Sequence, residues 1–145
     1  MEIKQTRDTM SDVYFNALKI RNAVFVKEQG VPLSLEIDKD EAYAVHFVLY
    51  FDDATPVSTL RILPDDANKS ALIQRVATLD GYRGQNYATQ LLVFVLEFLE
   101  SHGFETAFLH AQTQVVEFYK QFGFETYGEP FEDAGMTHLA MKKTV

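Results

Sequence analysis

The chain has 145 residues, 47% apolar and 13% aromatic with twelve Phe and no Trp, which is the size and makeup of one packed domain over 1–145 rather than two. Thirteen Lys and Arg against twenty-one Asp and Glu give a net charge of -8, which repels polyphosphate backbones, so nucleic acid is set aside as a partner and cationic or amine substrates fit better. With no Cys there is no disulfide framework, thiolate metal site or Cys nucleophile; with neither a signal-like start nor an apolar run of membrane length, the expected setting is cytoplasmic and free of membrane.

Glu2 to Arg7 alternates weakly and predicts a short strand, ending where Thr9 and Asp12 stand at capping-box spacing. Val13, Ala17, Ile20 and Val24 then recur at helical spacing through about Glu28, and Gly30 and Pro32 stop the helix. Leu33 to Glu41 carries Glu36, Asp38, Asp40 and Glu41 and reads as a solvated acidic connector with one helical turn at most. Tyr43 to Phe51 is a continuous apolar run, Asp52 to Pro56 has turn chemistry, and Val57 to Leu63 alternates, which together predict a β-hairpin. A second turn from Pro64 to Lys69 leads to a third strand, Ala71 to Thr78, antiparallel to the one before.

From Gly81 the sequence runs Gly-Tyr-Arg-Gly-Gln-Asn-Tyr-Ala into a long apolar helix ending at Ser101. Its Ala88, Leu91, Leu92, Val95, Leu96 and Leu99 form one wide stripe. Phe94 and Phe98 lie to its side, to pack internally or against a second copy, so a homodimer stays open. Thr106 to Ala111 is a strand reached by a helical crossover and therefore parallel to Ala71 to Thr78, which makes a β-α-β unit. A short helix from about Thr113 to Gln121 and two strands, Phe124 to Tyr127 and Met136 to Lys142 around a Gly128-Glu129-Pro130 turn, complete the chain. The order predicts an α/β domain with a mixed, mostly antiparallel sheet.

A Gly-rich turn feeding a helix aims uncapped backbone N–H groups and the positive end of the helix dipole at whatever lies in front, so the stretch from Gly81 to Ala88 reads as an anion cradle. It lacks the Gly-Lys-Ser/Thr of a Walker loop and the three spaced glycines of a dinucleotide fingerprint. No His/Asp/Glu cluster has metal spacing, so no metal is expected.

Arg83-Gly84-Gln85-Asn86-Tyr87-Ala88 resembles the acetyl-coenzyme-A signature Arg/Gln-x-x-Gly-x-Gly/Ala of the GNAT N-acetyltransferase superfamily. Asn86 stands where the central Gly belongs, and Asn is the non-Gly residue most tolerant of left-handed backbone. Glu117 to Phe124 resembles the family's Phe-Tyr-x-x-x-Gly-Phe segment. Arg21 to Gln29, Glu36 to Asp38, His110 to Gln112 and Glu132 to His138 resemble its ElaA/YjcF-like branch, and the Arg-x-x-Val-Phe-x-x-Glu start is similar to acyl-homoserine-lactone synthases, which use acylated carriers.

The resemblance implies a GNAT-like twisted sheet splayed at the β-α-β unit. Its co-substrate would be acetyl-CoA, whose pyrophosphate meets the loop Arg83, Gly84, Gln85, Asn86, Tyr87, Ala88 and Thr89. Main-chain groups of Val76 and Thr78 would hold the pantetheine arm, and an amide near Val76 or Ala77 would polarise the acetyl carbonyl. Direct attack by a small-molecule or protein amine needs a proton acceptor and a donor to the leaving thiolate. Tyr119 is the candidate donor, with a core aromatic as the alternative. His110, His138 and Glu28 are candidate bases, and Gln29, Glu36, Asp38 and Gln112 candidate acceptor contacts; each is also open to a purely structural role. A non-catalytic acyl-CoA sensor is the alternative to an enzyme.

Overall fold

The computed structural model describes residues 1–52 and 55–145, so Asp53 and Ala54 of the expected Asp52-to-Pro56 turn lie outside the described residues. Strands β1 (Glu2–Thr6), β2 (Val45–Phe51), β3 (Thr55–Asp65) and β4 (Ser70–Thr78) pair antiparallel in sequence order. Strands β5 (Thr106–Gln112), β6 (Glu125–Asp133) and β7 (Met136–Thr144) extend them into one seven-stranded sheet in the order β1-β2-β3-β4-β5-β7-β6. Every pairing is antiparallel except β4 with β5. Helices α1 (Asp12–Arg21), α2 (Leu33–Glu36), α3 (Tyr87–Ser101) and α4 (Val116–Lys120) flank it. This is the mixed, mostly antiparallel α/β architecture that the element order predicts.

The continuous apolar run of β2 follows from burial on both faces. Val45, Phe47 and Leu49 share a core with Leu91, Leu92, Val95 and Leu99 of α3, while Val48 and Tyr50 pack with Ala17 and Ile20 of α1. Alternate side chains of one strand thus serve two cores, each buried Leu or Val contributing about 1.5–3 kcal/mol. Phe98 turns inward, its ring 5.2 Å from that of Phe47, whereas Phe94 is 37% exposed.

Several boundaries differ from expectation. Ser11, not Thr9, caps α1, its hydroxyl accepting from the Tyr14 N–H at 3.2 Å, and Asp12 complements the dipole from the first turn instead. The expected helix to Glu28 is α-helical only to Arg21 and continues as a π-helix over Asn22–Glu28. Pro64 is not a turn residue but pairs with Ala71 inside the hairpin, whose turn is Asp66–Asn68 closed by Lys69 at φ 50°. Gly128-Glu129-Pro130 is an irregularity within β6, where the register shifts between Tyr127 and Phe131. The reversal falls instead at Ala134 and Gly135, whose φ of 52° and 77° suit a two-residue hairpin turn.

The largest departure is in the acidic connector, whose carboxylates turn inward while Leu33, Leu35 and Ile37 stay exposed. Arg21 and Arg61 are 1% exposed and Glu36 2%. Arg21 Nε donates to Glu36 Oε1 at 2.9 Å and Nη1 to Glu41 Oε1 at 2.8 Å, while Arg61 donates to Glu41 Oε2 and Asp38 Oδ2, both at 2.8 Å. Arg75 Nη2 adds a 3.2 Å bond to Asp38 Oδ2, and Gln74 Oε1 accepts from Arg61 Nε and Nη2 at 3.1 and 2.9 Å. Three guanidinium groups therefore meet three carboxylates, fastening the connector and α1 to β3 and β4. The Tyr14 hydroxyl also donates to Glu41, at 3.0 Å, and burial together with that carboxylate pushes it up to about 12.

Burial by itself would raise Glu41, but hydrogen bonds from Arg21 and the Asp38 N–H and the charges of Arg21 and Arg61 hold it well below the usual carboxylate range. A depressed carboxylate contributes stability that is complete above the free-glutamate value of about 4.5 and is lost as pH falls below it. The unfolding free energy from denaturant titrations should therefore fall as pH is lowered from 5, and the slope should flatten in Glu41→Gln. At pH 7, Arg61→Met should cost about 3–5 kcal/mol because it leaves three carboxylates facing two guanidinium groups in a largely buried site. A loss under about 1 kcal/mol would mean that the network is not what holds the connector.

Candidate functional site

The site begins where the sheet opens. β4 and β5 pair only from Ser70 with Thr106 to Ile73 with Leu109. Beyond that point β4 remains on β3, through Ala77 with Thr59 and Thr78 with Ser58, and β5 remains on β7, through Ala111 with Leu139 and Gln112 with His138. The two strands are held by their outer neighbours and part from each other. A cavity of about 880 Å³ lies in the gap, walled by the π-helix, α2, the turn before α3 and α4.

At the start of the gap β4 carries a bulge: Thr59 pairs with Ala77 and Arg61 with Gln74, so Leu60 opposes both Arg75 and Val76. Arg75 sits there at φ 57°, a left-handed conformation that is rare for a long side chain. Strained backbone of this kind persists where the surroundings over-determine it, and the buried ion network that grips Arg75 is such a surrounding.

The turn into α3 lies at the other end of the cavity. Asn86 occupies the helix cap at φ 66° and ψ 19° without a side-chain capping bond, and Gly84 has φ 77°. A Cβ on Gly84 would meet nothing within 4 Å, so the position demands glycine for its backbone, and the space above it is open. The backbone N–H groups from Gly84 to Thr89 find no acceptor among the described residues. Five of these residues, all but Gln85, line the cavity in front of the dipole of a fifteen-residue helix. Arg83 beside them gives Nε to the Thr78 carbonyl and Nη2 to Glu28 Oε1, both at 2.9 Å, and the bond to Glu28 raises its already high basicity.

On the β5 side, Tyr119 of α4 is 7% exposed and lines the cavity, and its hydroxyl has no hydrogen-bond partner among the described residues. Burial pushes its hydroxyl up to about 12, so it keeps its proton at neutral pH. His138 Nδ1 lies 2.8 Å from the Met136 carbonyl. A carbonyl only accepts, so Nδ1 carries a proton and, in the neutral ring, the lone pair lies on Nε2. The Phe131 ring, stacked at 5.8 Å, fixes the imidazole. His110 stands edge-on to the same Phe131 at 5.2 Å, its basicity lowered by burial, raised in part by Asp133 and lowered again by His138.

All the sequence-predicted site residues line this one cavity except Gln85 and Asp38. Three carboxylates proposed for catalysis or acceptor contact have partners within the chain: Glu28 has Arg83, Glu36 has Arg21, and Asp38 has Arg61 and Arg75. Glu36 and Asp38 thus face guanidinium groups of the protein itself, since their spacing put them opposite β3 and β4. Gln112 caps nothing, although it precedes the turn Thr113–Val115. Sequence reasoning missed Arg75, whose strand position gives no sign of a bulge. It also missed Arg21, although Arg21 falls one turn beyond Ala17 on the apolar stripe of α1, where a buried cation needs an acidic partner. Among the described residues no group of three or more His, Asp or Glu side chains could hold a metal ion, and no helix is long and apolar enough to cross a membrane.

Comparison with known proteins adds four findings. A family model described as an acetyltransferase (GNAT) domain matches residues 8–145. The uncharacterised N-acetyltransferase YjcF of Bacillus subtilis is 34% identical over 143 residues, covering 97% of this chain and 96% of its own. ElaA of Escherichia coli is 33% identical over 131 residues, covering 88% and 85% of the two chains; its crystal structure matches at a TM-score of 0.85, with 98% of each covered. At 14% identity the fold is shared, with a TM-score of 0.73 over 99% of this chain and 97% of the other, by an aminoglycoside 6'-N-acetyltransferase crystallised with coenzyme A.

Because Asn86 holds φ 66°, Asn86→Gly should leave stability within about 0.5 kcal/mol, and Asn86→Ala should cost about 1–2 kcal/mol. Paired denaturant titrations check this; an alanine variant as stable as the glycine one would show that the turn tolerates a right-handed residue.

Proposed function

The chain belongs to the GNAT acetyltransferase family and is an acyl-CoA-dependent acyltransferase, and from that premise we propose that it moves an acetyl group from acetyl-CoA to a primary amine by direct attack. The observation that carries this reading is the uncapped N-terminus of α3 opening onto the same cavity as a Tyr119 hydroxyl that keeps its proton. The free amides from Gly84 to Thr89 fit the pyrophosphate, and Arg83 can leave Glu28 to reach it. The unpaired edge of β4 from Val76 to Thr78 fits an extended amide-bearing arm as an added strand, and the bulge at Arg75 and Val76 fits a donor N–H to the acyl carbonyl. When bound, the donor supplies an activated thioester.

The amine arrives as an ammonium ion and must lose two protons in all. His138 Nε2, held as an acceptor by its Met136 bond, takes the first and passes it to solvent. The amine nitrogen then bonds to the acyl carbon as the carbon–sulfur bond breaks. Tyr119 gives its proton to the thiolate, and the second proton from nitrogen restores it. His110 and Asp133 stand beside this path, while Glu28 is held at the donor turn by Arg83.

Tyr119→Phe should lower kcat by about 100-fold or more while the acetyl-CoA affinity from isothermal titration stays within about threefold. His138→Gln should depress kcat/KM similarly. Failure of the parent protein to bind acetyl-CoA at millimolar concentration would overturn the proposal, and an unchanged kcat/KM in His138→Gln would move the base elsewhere.

A further inference from the structure

Two irregular backbones border the acceptor half of the cavity. One is the π-helix Asn22–Glu28, a rare form that commonly marks functional sites. The other is Arg75 in its left-handed conformation. The Arg75 guanidinium is engaged on one edge only: Nη2 reaches Asp38 Oδ2 at 3.2 Å and the Leu35 and Glu36 carbonyls at 3.3 and 3.4 Å. Nε lies 3.2 Å from Glu36 Oε2 without the alignment of a hydrogen bond. Nη1 has no partner among the described residues and is not one of the buried polar atoms lacking one, so its two N–H groups are open, on a side chain that lines the cavity.

The opposite wall has the opposite character. Asp133 has neither an ion pair nor a side-chain hydrogen bond among the described residues, and it stands with His110 and His138 at the β5–β7 side. The other cation of the cavity, Arg83, belongs to the donor turn and is engaged by Thr78 and Glu28. One wall of the acceptor half therefore offers an open guanidinium edge, and the other offers a free carboxylate and an imidazole lone pair.

The spacing is short. Arg75 lies two residues past the last β4–β5 pair, and Gln112, the partner of His138, lies three residues past it. At roughly 3.3 Å per residue both are within about 10 Å of the apex of the gap. A small molecule carrying both charges can touch both walls.

We propose that the acceptor is an amino carboxylate, its carboxylate held by Arg75 Nη1 and its amine presented to His138 and Asp133. This rests on the acetyl-transfer reading above and adds the chemical class of the acceptor. The six charges of the buried network cancel, so recognition depends on the direction of the Nη1 donors rather than on net attraction, and a neutral amide in place of the carboxylate loses that charge-assisted pairing. The product is the N-acetyl amino carboxylate with free CoA thiol.

The test uses the intact protein with acetyl-CoA and matched acceptors: free amino acids, their carboxamides, and the corresponding amines without the carboxyl group, read by thiol release. The acid should exceed its amide in kcat/KM by about tenfold or more, and Arg75→Gln should shrink that ratio to within about threefold, with Arg75→Lys between the two. The comparison in the parent protein needs no variant, so a misfolded Arg75→Gln does not remove the test. Equal use of acid and amide by the parent, or an unchanged ratio in a folded Arg75→Gln, overturns the proposal. Acetyl-CoA binding without turnover of any amine defeats the acetyl-transfer reading instead. The proposal is then decided by NMR titration of the CoA complex, where shifts at the cavity with acids but not amides support it and equal or absent shifts overturn it.

Discussion

Three guanidinium groups and three carboxylates, four of them buried and Arg75 and Asp38 partly so, between α1, the connector and the sheet are the interaction on which the working half of this molecule depends. Such charges are costly to desolvate and persist only when each is paired and hydrogen-bonded. Here Arg21 and Arg61 each bridge two carboxylates, Glu41 is shared between them, and Gln74 and Tyr14 occupy further hydrogen-bonding sites. The arrangement is poor as a source of net stability and strong as a device for register. Its members come from α1, the connector, β3 and β4, so no one of these can slide without stranding a buried charge. His46 extends the polar layer under the connector, its Nε2 bonded to the Glu41 carbonyl and burial lowering its basicity.

That rigidity has a local consequence at β4. A non-glycine residue at φ 57° would relax in an isolated strand, but Arg75 is held from its side chain by Asp38 and from its neighbour Gln74 by Arg61. The bulge turns the edge of β4 toward the gap just where β5 leaves it. Donor groove and acceptor wall are thus two sides of one irregularity. The same network that fixes the connector as a wall also fixes the strand edge on which the thioester is expected to lie.

What could be read from the sequence divides along the same line. The β-α-β unit, its parallel pair and the turn into α3 are encoded by neighbours in sequence: strand run, glycines, apolar stripe. Asn86 was the weak point of the motif, and it adopts the left-handed conformation that made Asn an acceptable substitute for Gly. The connector was misjudged because four acids in nine residues look solvated when their partners, Arg21, Arg61 and Arg75, are scattered over fifty-five residues of chain. Periodicity also reported Arg61 as one residue of an alternating strand, without indicating that both faces would be covered. The final hairpin was misplaced for a related reason: Gly128 and Pro130 have turn chemistry, but the register of β7 against both β5 and β6 carries β6 on to Asp133. Nonlocal pairing overrode local propensity in each case.

The two halves of the cavity therefore rest on different physics. The donor half uses backbone: free amides at a helix start, an open strand edge, and a glycine whose Cβ is excluded by φ rather than by crowding. Backbone donors bind a shared chemical handle regardless of most side chains, which is why a short motif can announce them. The acceptor half, on the proposed reading, uses side chains delivered from four separate elements: Arg75 on β4, His110 on β5, Asp133 at the end of β6 and His138 on β7. His110, Asp133 and His138 can change without disturbing the cradle, whereas Arg75 is tied into the network that fixes the β4 edge. Selectivity for the acceptor can therefore vary among relatives that keep the same donor, and it has to be sought in the side-chain geometry of each chain rather than in the motif that identifies the fold.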